Sequence, residues 1–242
     1  MDKFYDLWQH LAHSPLLGLC LTLGCFVISD WFYKKCKLSP LANPVLLSVV
    51  MVSLILWLTK TNYQTYFEGA KYIHFLLGPA TVALAVPLYK NLHYVKASLI
   101  PIALTILLGG LFAILSGVGI AALLGASQTT LLSLAPKSVT APVAMGLSEV
   151  IGGTPSLTAV LVILCGIIGA IFGGAVLTLV GVKDKKARGI AIGIASHGIG
   201  TARKLTIDEK TGAFAGLGMG LNALVTAIML PLLMLLWRTF AG

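Results

Sequence analysis

Charge is what this sequence has least of. Only 10% of its 242 residues are charged, against 57% that are hydrophobic, whereas globular domains carry about 25% charged residues. A mean hydropathy of +0.95 leaves no room for a sizeable soluble domain, so the composition predicts a polytopic membrane protein, one integral domain over 1–242. Acids are scarcest: 8 Asp and Glu face 17 Lys and Arg. The resulting charge of +9 does not point to nucleic acid, because no basic stripe is interleaved with aromatics on a soluble surface. The bases sit mostly in short loops, as cytoplasmic loops do beside anionic headgroups of a lipid bilayer.

Other absences narrow the function. Cys20, Cys25, Cys36 and Cys165 lie in or beside apolar runs, with no CxxC and no ligand histidine nearby; they read as packing residues, not as a metal or disulfide framework. There are no paired carboxylates, no HExxH, and no nucleophile–base pair with a third member, which speaks against an enzyme. No cofactor motif is present: the glycines after His197 follow no strand and lack the rest of a dinucleotide fingerprint. The start, MDKFYDLWQHLAHS, contains acids and precedes an apolar run without a small-residue cleavage site, so it reads as an amphipathic lead-in.

Long apolar runs are what the chain has in plenty. A spanning helix needs about 20 mostly apolar residues, and six stretches qualify: Pro15–Tyr33, Pro44–Thr59, Tyr72–Tyr89, Ser98–Leu124, Leu157–Val182 and Ala213–Trp237. Two further stretches, Pro136–Ser156 and Arg188–Lys204, are apolar overall yet carry glycine or proline, hydroxyls and ionisable groups. Non-helical backbone at membrane depth is tolerated only when covered by protein or lining a wet cavity. Such paired broken segments mark binding sites in transporters.

Basic loops orient the spans. Lys34, Lys35 and Lys37 place the first loop in the cytoplasm, as Lys90 and Lys96 do after the third span, while the uncharged stretch Gly125–Leu134 belongs outside. Lys183, Lys185, Lys186 and Arg188 then require Leu157–Val182 to end inside. That holds if Pro136–Ser156 dips in from outside and returns, and if Arg188–Lys204 does the same from the cytoplasm. The expected fold is thus all-α, six spans with two opposed re-entrant or broken hairpins, resembling an inverted-repeat transporter; full crossing by both segments is the alternative. Spans fill 1–125, and hairpin-plus-span occurs twice in 126–242, with Thr154, Leu164, Ala170 and Ile171 recurring 57 positions later as Thr211, Leu221, Ala227 and Ile228. The same spacing relates Pro79 to Pro136 and marks Gly78-Pro79 as a third broken element.

In the first broken segment Pro136, Pro142, Pro155 and Gly152-Gly153 prevent a continuous helix, and Ser138, Thr140, Ser148, Thr154, Ser156 and Thr158 add hydroxyls. A helix restarting after Gly152-Gly153, capped by Thr154 or Ser156, turns free N–H groups and a positive dipole end inward, where a carboxylate binds. The hydroxyls serve equally as plain caps. Lys137 either meets an anionic substrate or snorkels to the outer interface. Glu149 takes a coupling proton, pairs with Arg203 between hairpin tips, or lies at the surface. In the second segment His197 suits proton coupling, or a structural hydrogen bond. Gly198 and Gly200 permit a non-helical turn, Thr201 adds a hydroxyl, and Arg203 offers a carboxylate fork or a cytoplasmic anchor. Asn222 in the last span needs a helix neighbour or a substrate, Gly212, Gly216 and Gly220 form a smooth packing face, and Asn43-Pro44 reads as a cap and first-turn proline. The candidate substrate contacts are Ser138, Thr140, Gly152, Gly153, Thr154, Ser156, His197, Gly198, Thr201, Arg203 and Asn222, with His197 and Glu149 for coupling.

PKSVTAPVAMGLSEVIGGTPSLTAV, ARGIAIGIASHGIGTARKL and GAFAGLGMGLNALVTAIMLPLL, with GPATVALAVPLYKN upstream, resemble the LrgB/CidB/YohK family over nearly the whole chain. Where its members often have a second threonine and a glutamate, this chain has Ala141 and Gly146. The resemblance implies a bacterial cytoplasmic (inner) membrane protein with a small LrgA/CidA-like membrane partner. It also implies one of two functions: carriage of a small monocarboxylate (glycolate, glycerate, lactate or pyruvate), or holin/antiholin-like modulation of murein hydrolase export and lysis. Physics favours the carrier. A pore needs amphipathic spans that oligomerise, whereas a carboxylate carrier needs freed N–H groups, hydroxyls and a cation. Protons through His197 or Glu149 are the expected coupling ions, sodium on freed carbonyls the alternative, and a homodimer the expected assembly.

Overall fold

The structure is a computed structural model describing residues 14–39, 42–83, 86, 89 and 99–241. Among these residues every regular element is a helix. The chain divides into two compact units, Met1–Thr81 and Val82–Gly242.

The first unit holds α1 (Pro15–Lys35), α2 (Pro44–Leu58) and α3 (Tyr63–Phe75). Asn43 caps α2 as its sequence position implies: the side-chain carbonyl accepts from the N–H groups of Val45 (2.9 Å) and Leu46 (3.2 Å), with Pro44 opening the helix. Helix α1 packs on both neighbours, and Thr22 and Tyr66 share a 2.7 Å hydroxyl contact that ties α1 to α3. Two expected spans differ here. Helix α2 has 15 residues, about 22 Å of helix against a hydrocarbon core of about 30 Å. The stretch Tyr72–Tyr89 is not one helix: α3 starts at Tyr63 and ends at Phe75, and α4 (Leu77–Ala83) follows. Pro79 explains the stop, since it has no N–H for the Phe75 carbonyl. Residues 84, 85, 87 and 88, with Pro87, lie outside the described residues.

The second unit holds α5 (Leu99–Leu123), α6 (Gln128–Leu134), α7 (Ala141–Ile151), α8 (Pro155–Leu179), α9 (Lys185–Ile207) and α10 (Glu209–Ala241). Among the described residues four helices are long and apolar enough to cross a membrane: Leu16–Lys35, Leu99–Leu123, Pro155–Leu179 and Glu209–Leu236. Large apolar side chains such as Leu164, Ile168 and Phe172 of α8 stay exposed, as lipid-facing residues do. The chain is a polytopic, all-helical membrane protein.

Helix α9 is two arms, not a rod. Its 23 residues would measure about 34 Å if straight, yet Lys185 in its first turn and Asp208 at its C-cap form an ion pair at 3.1 Å. The reversal falls at His197, whose φ of 36° and ψ of −129° leave the helical region. The chain folds back there.

The other hairpin is built from α6 and α7. The stretch Gly125–Leu134, expected as a plain outer loop, contains α6, with the Ser127 hydroxyl accepting from Thr130 N–H at 3.3 Å. The turn between the arms is Ala135–Thr140. Gly152-Gly153, expected at the inward break, instead closes the far end of α7, with Gly152 at φ +90°. There Thr154 N–H donates to the Ser133 hydroxyl (2.8 Å), and Thr158 Oγ1 lies 2.9 Å from the Ser133 carbonyl and 2.7 Å from Ser148 Oγ. Ser133, Ser148 and Thr158 are fully buried and joined to one another, so they clamp the base of this hairpin.

Three long helices measure where the hairpins lie. Along α8, the first hairpin's base meets Thr154 and Thr158 and its tip residue Val139 packs on Val162. The second hairpin's tip meets Val162 and Gly166, and its base meets Ala170 and Gly174. Along α10, Gly189 of the second hairpin packs on Thr211 and Phe214, Thr201 reaches Met219, Asn222 meets Ser138, and Leu230 packs with Ile151. Along α5, Ile102 and Ile106 pack on Ile190 and Ile194, while Ile114 packs on Ala135 and Ile151. The two hairpins enter from opposite ends and meet in the middle.

Backbone contact holds the second hairpin. A Cβ on Gly193 would lie 2.1 Å from the Ala215 carbonyl oxygen, and one on Gly218 would lie 2.8 Å from that of Ile190. Of the expected Gly212–Gly216–Gly220 face, Gly212 lies on Leu205 and Gly216 meets Thr201, but nothing comes within 4 Å of a Cβ on Gly220, and Gly218 makes the closer backbone approach. Gly193→Ala should push α9 off α10 and destabilise the protein by about 1–3 kcal/mol, visible as a lower melting temperature in detergent. Asp208 adds a pH dependence at the hairpin base. The Thr211 hydroxyl, then Lys185, hold its carboxyl below the ordinary value, so its contribution is complete above the usual carboxylate range and is lost as acid protonates it below that range. Melting temperature against pH should show this acid step in the native protein and a smaller one in Asp208→Asn.

Candidate functional site where the two hairpin tips meet

The tips bring polar groups into a place where side chains are mostly buried. His197 is 3% exposed, Thr201 1%, Ser196 and Asn222 0%, Ser138 6% and Thr140 9%. The ring of His197 rests on Gly166, where a Cβ would lie 2.6 Å from Cε1. Its Nε2 is 3.0 Å from the Val162 carbonyl oxygen. A carbonyl only accepts, so Nε2 carries the proton in this contact and Nδ1 is left to take up another. Asn222 Nδ2 donates to the Ser138 carbonyl at 2.9 Å, satisfying a backbone group that the Ala135–Thr140 turn frees. Gly198 lies against Met219 Sδ, and the Thr201 hydroxyl is 4.0 Å from the same sulfur.

Buried polar groups ordinarily find partners. Here Thr140 Oγ1, Ser196 Oγ, Asn222 Oδ1 and Arg203 Nε have none. Thr140 stands at the N-cap of α7 without using its hydroxyl there. Three of the four belong to the turns or to the α10 segment that touches them.

The structure separates some residues that the sequence grouped. Helix α7 is 11 residues long, so Gly152, Gly153, Thr154 and Ser156 lie about 15 Å or more from its tip end. Thr154 and Ser156 are exposed, and Thr154, though at the N-cap position of α8, makes no side-chain cap. Arg203 is not at a tip either: its Nη1 donates to the Ala170 carbonyl at 2.9 Å, two turns along α8 from Val162. Glu149 is exposed near the outer end of α7 and forms no ion pair among the described residues. The two cannot pair, because they lie toward opposite ends of the hairpin assembly. Arg188 clamps the end of α8, donating to Val182 (2.7 Å) and Gly174 (2.9 Å) carbonyls. Ser196 is not among the contacts expected from sequence; that its hydroxyl sits on Gly169 is a tertiary fact.

Long apolar helices and an all-helical architecture place the protein in the class of polytopic membrane proteins. The chain belongs to the LrgB-like family, whose model matches residues 22–236. It is 33% identical over 224 residues to "Holin-like protein CidB" of Staphylococcus epidermidis, covering 93% of this chain and 97% of that protein. It is 35% identical over 227 residues to "Uncharacterized protein YxaC" of Bacillus subtilis, covering 94% and 98%. A Haemophilus influenzae protein is 35% identical over 211 residues, covering 87% and 91%. No solved structure matches the chain.

Asn222→Ala should strand the Ser138 carbonyl in a dry site at a cost of about 1–3 kcal/mol. Thermal unfolding in detergent checks this, with Ser138→Ala, which keeps the carbonyl, expected to cost less.

Proposed function

We propose that this protein is a carrier of small monocarboxylates of the glycolate, glycerate, lactate and pyruvate class, in the cytoplasmic membrane of a bacterium. One observation carries the proposal: two hairpins approaching from opposite ends converge on Val162 and leave buried polar atoms unpartnered around it. In this reading both hairpins are re-entrant, one from each face of the membrane, and hairpin-plus-span in 126–242 is an inverted repeat. Ser138, Thr140, Ser196, His197, Gly198, Thr201 and Asn222 form the substrate site, and Arg203 steadies it from the α8 side. His197 is the coupling group, since its Nδ1 can bind a proton while Nε2 stays on Val162. Glu149 and the Gly152–Ser156 turn belong to the outer end. The transport unit is a homodimer, with a small LrgA/CidA-like membrane protein as partner.

A second reading follows from a relative's name, "Holin-like protein CidB": a modulator of murein hydrolase export and lysis. The closed, hydrogen-bonded meeting of the tips favours the carrier over an open pore.

Purified protein in liposomes should take up labelled glycolate, lactate or pyruvate saturably, faster under an imposed proton gradient. His197→Ala should lose most of the uptake. Leakage of unrelated solutes without saturation would instead select the pore.

A further inference from the structure

We propose that Lys137 is the charged anchor of an anion site at the tip of the first hairpin, binding the carboxylate of a small acid. The substrate site proposed above does not use its charge, which the sequence left between an anionic guest and the outer interface. A lysine beside the membrane interface ordinarily runs its stem outward and leaves the ammonium in water. Lys137 keeps its ammonium against protein instead: half-buried, it donates to the Ala113 carbonyl of α5 and rests on Gly117, where a Cβ would lie 2.3 Å from Nζ. Gly117 makes the space that the ammonium occupies.

That position leaves the charge unanswered. An ammonium has three donors, and the Ala113 carbonyl is a neutral partner inside a helix, already accepting within its ladder. The ion pairs among the described residues are Lys34–Asp30, Lys71–Glu68 and Lys185–Asp208; none involves Lys137. A half-buried cation without an anion is unfavourable at this depth. On the same side of α5, Asn222 Oδ1, buried and unpartnered, lies 2.7 Å from the Cβ position of Gly110, seven residues and about 10 Å of helix before Gly117.

This assignment rests on the carrier reading only for the identity of the acid, and a binding measurement tests it separately. Melting temperatures of the detergent-purified full chain are followed with formate, acetate, glycolate, chloride and phosphate at constant ionic strength. The carboxylates should stabilise the native protein saturably. In Lys137→Gln their half-saturating concentrations should rise about tenfold to a hundredfold, the value of a charge-assisted hydrogen bond. Gly117→Ala should do the same with the charge retained, because the methyl displaces only the flexible end of the lysine; it decides the matter if Lys137→Gln does not fold. No stabilisation of the native protein, unchanged affinity in the variants, or stabilisation by chloride or phosphate alone would overturn the assignment. Carboxylate binding without uptake in liposomes would remove the carrier and keep Lys137. Uptake that ignores both variants would keep the carrier and remove Lys137.

Discussion

Backbone that leaves the helix inside a hydrocarbon medium must be covered by other protein, and the second unit is organised around that requirement. The chain reverses at His197 and again between Ala135 and Thr140. Each reversal releases N–H and C=O groups that lipid cannot satisfy. Helices α5, α8 and α10 supply the cover: Val162 accepts from His197, and Asn222 donates to Ser138. Because the covering helices are long and continuous, the two reversals can share a depth.

Close approach is the means. His197 reaches Val162 only because Gly166 has no side chain, and the arms of α9 lie on α10 only because Gly193 and Gly218 meet carbonyl oxygens directly. In water the apolar faces alone would drive such packing. Between lipid tails they give little advantage, so intimate backbone contact and interhelical hydrogen bonds take over. The residues at the tips are then held by tight packing while several of their polar atoms stay uncommitted.

Much of this was legible in the residues. The four long apolar helices, the Asn43–Pro44 cap and the two broken segments follow from hydropathy, cap chemistry and the placement of glycine and proline. Basic loops predicted hairpins entering from opposite faces of the membrane. Less legible was which break is the tip. Gly152-Gly153 looked like the stronger breaker, yet the turn at Ala135–Thr140 goes deep, because Ser133, Ser148 and Thr158 bind one another and tie the glycines to the base. The stretch Tyr72–Tyr89 misled for a local reason, as Pro79 leaves the Phe75 carbonyl without a donor and splits the run.

The sequence by itself determined that this is a membrane protein with two segments unable to cross as plain helices, since composition and backbone chemistry are local properties. Only the tertiary structure decided which of the polar residues meet. Ser138, Thr140, Ser196, His197 and Asn222 come together, Thr154, Ser156 and Glu149 do not, and Lys137 lies against α5. Those outcomes depend on how far along each long helix a hairpin tip comes to rest. That distance is set by contacts between residues as far apart as Ser138 and Asn222, which no local pattern records.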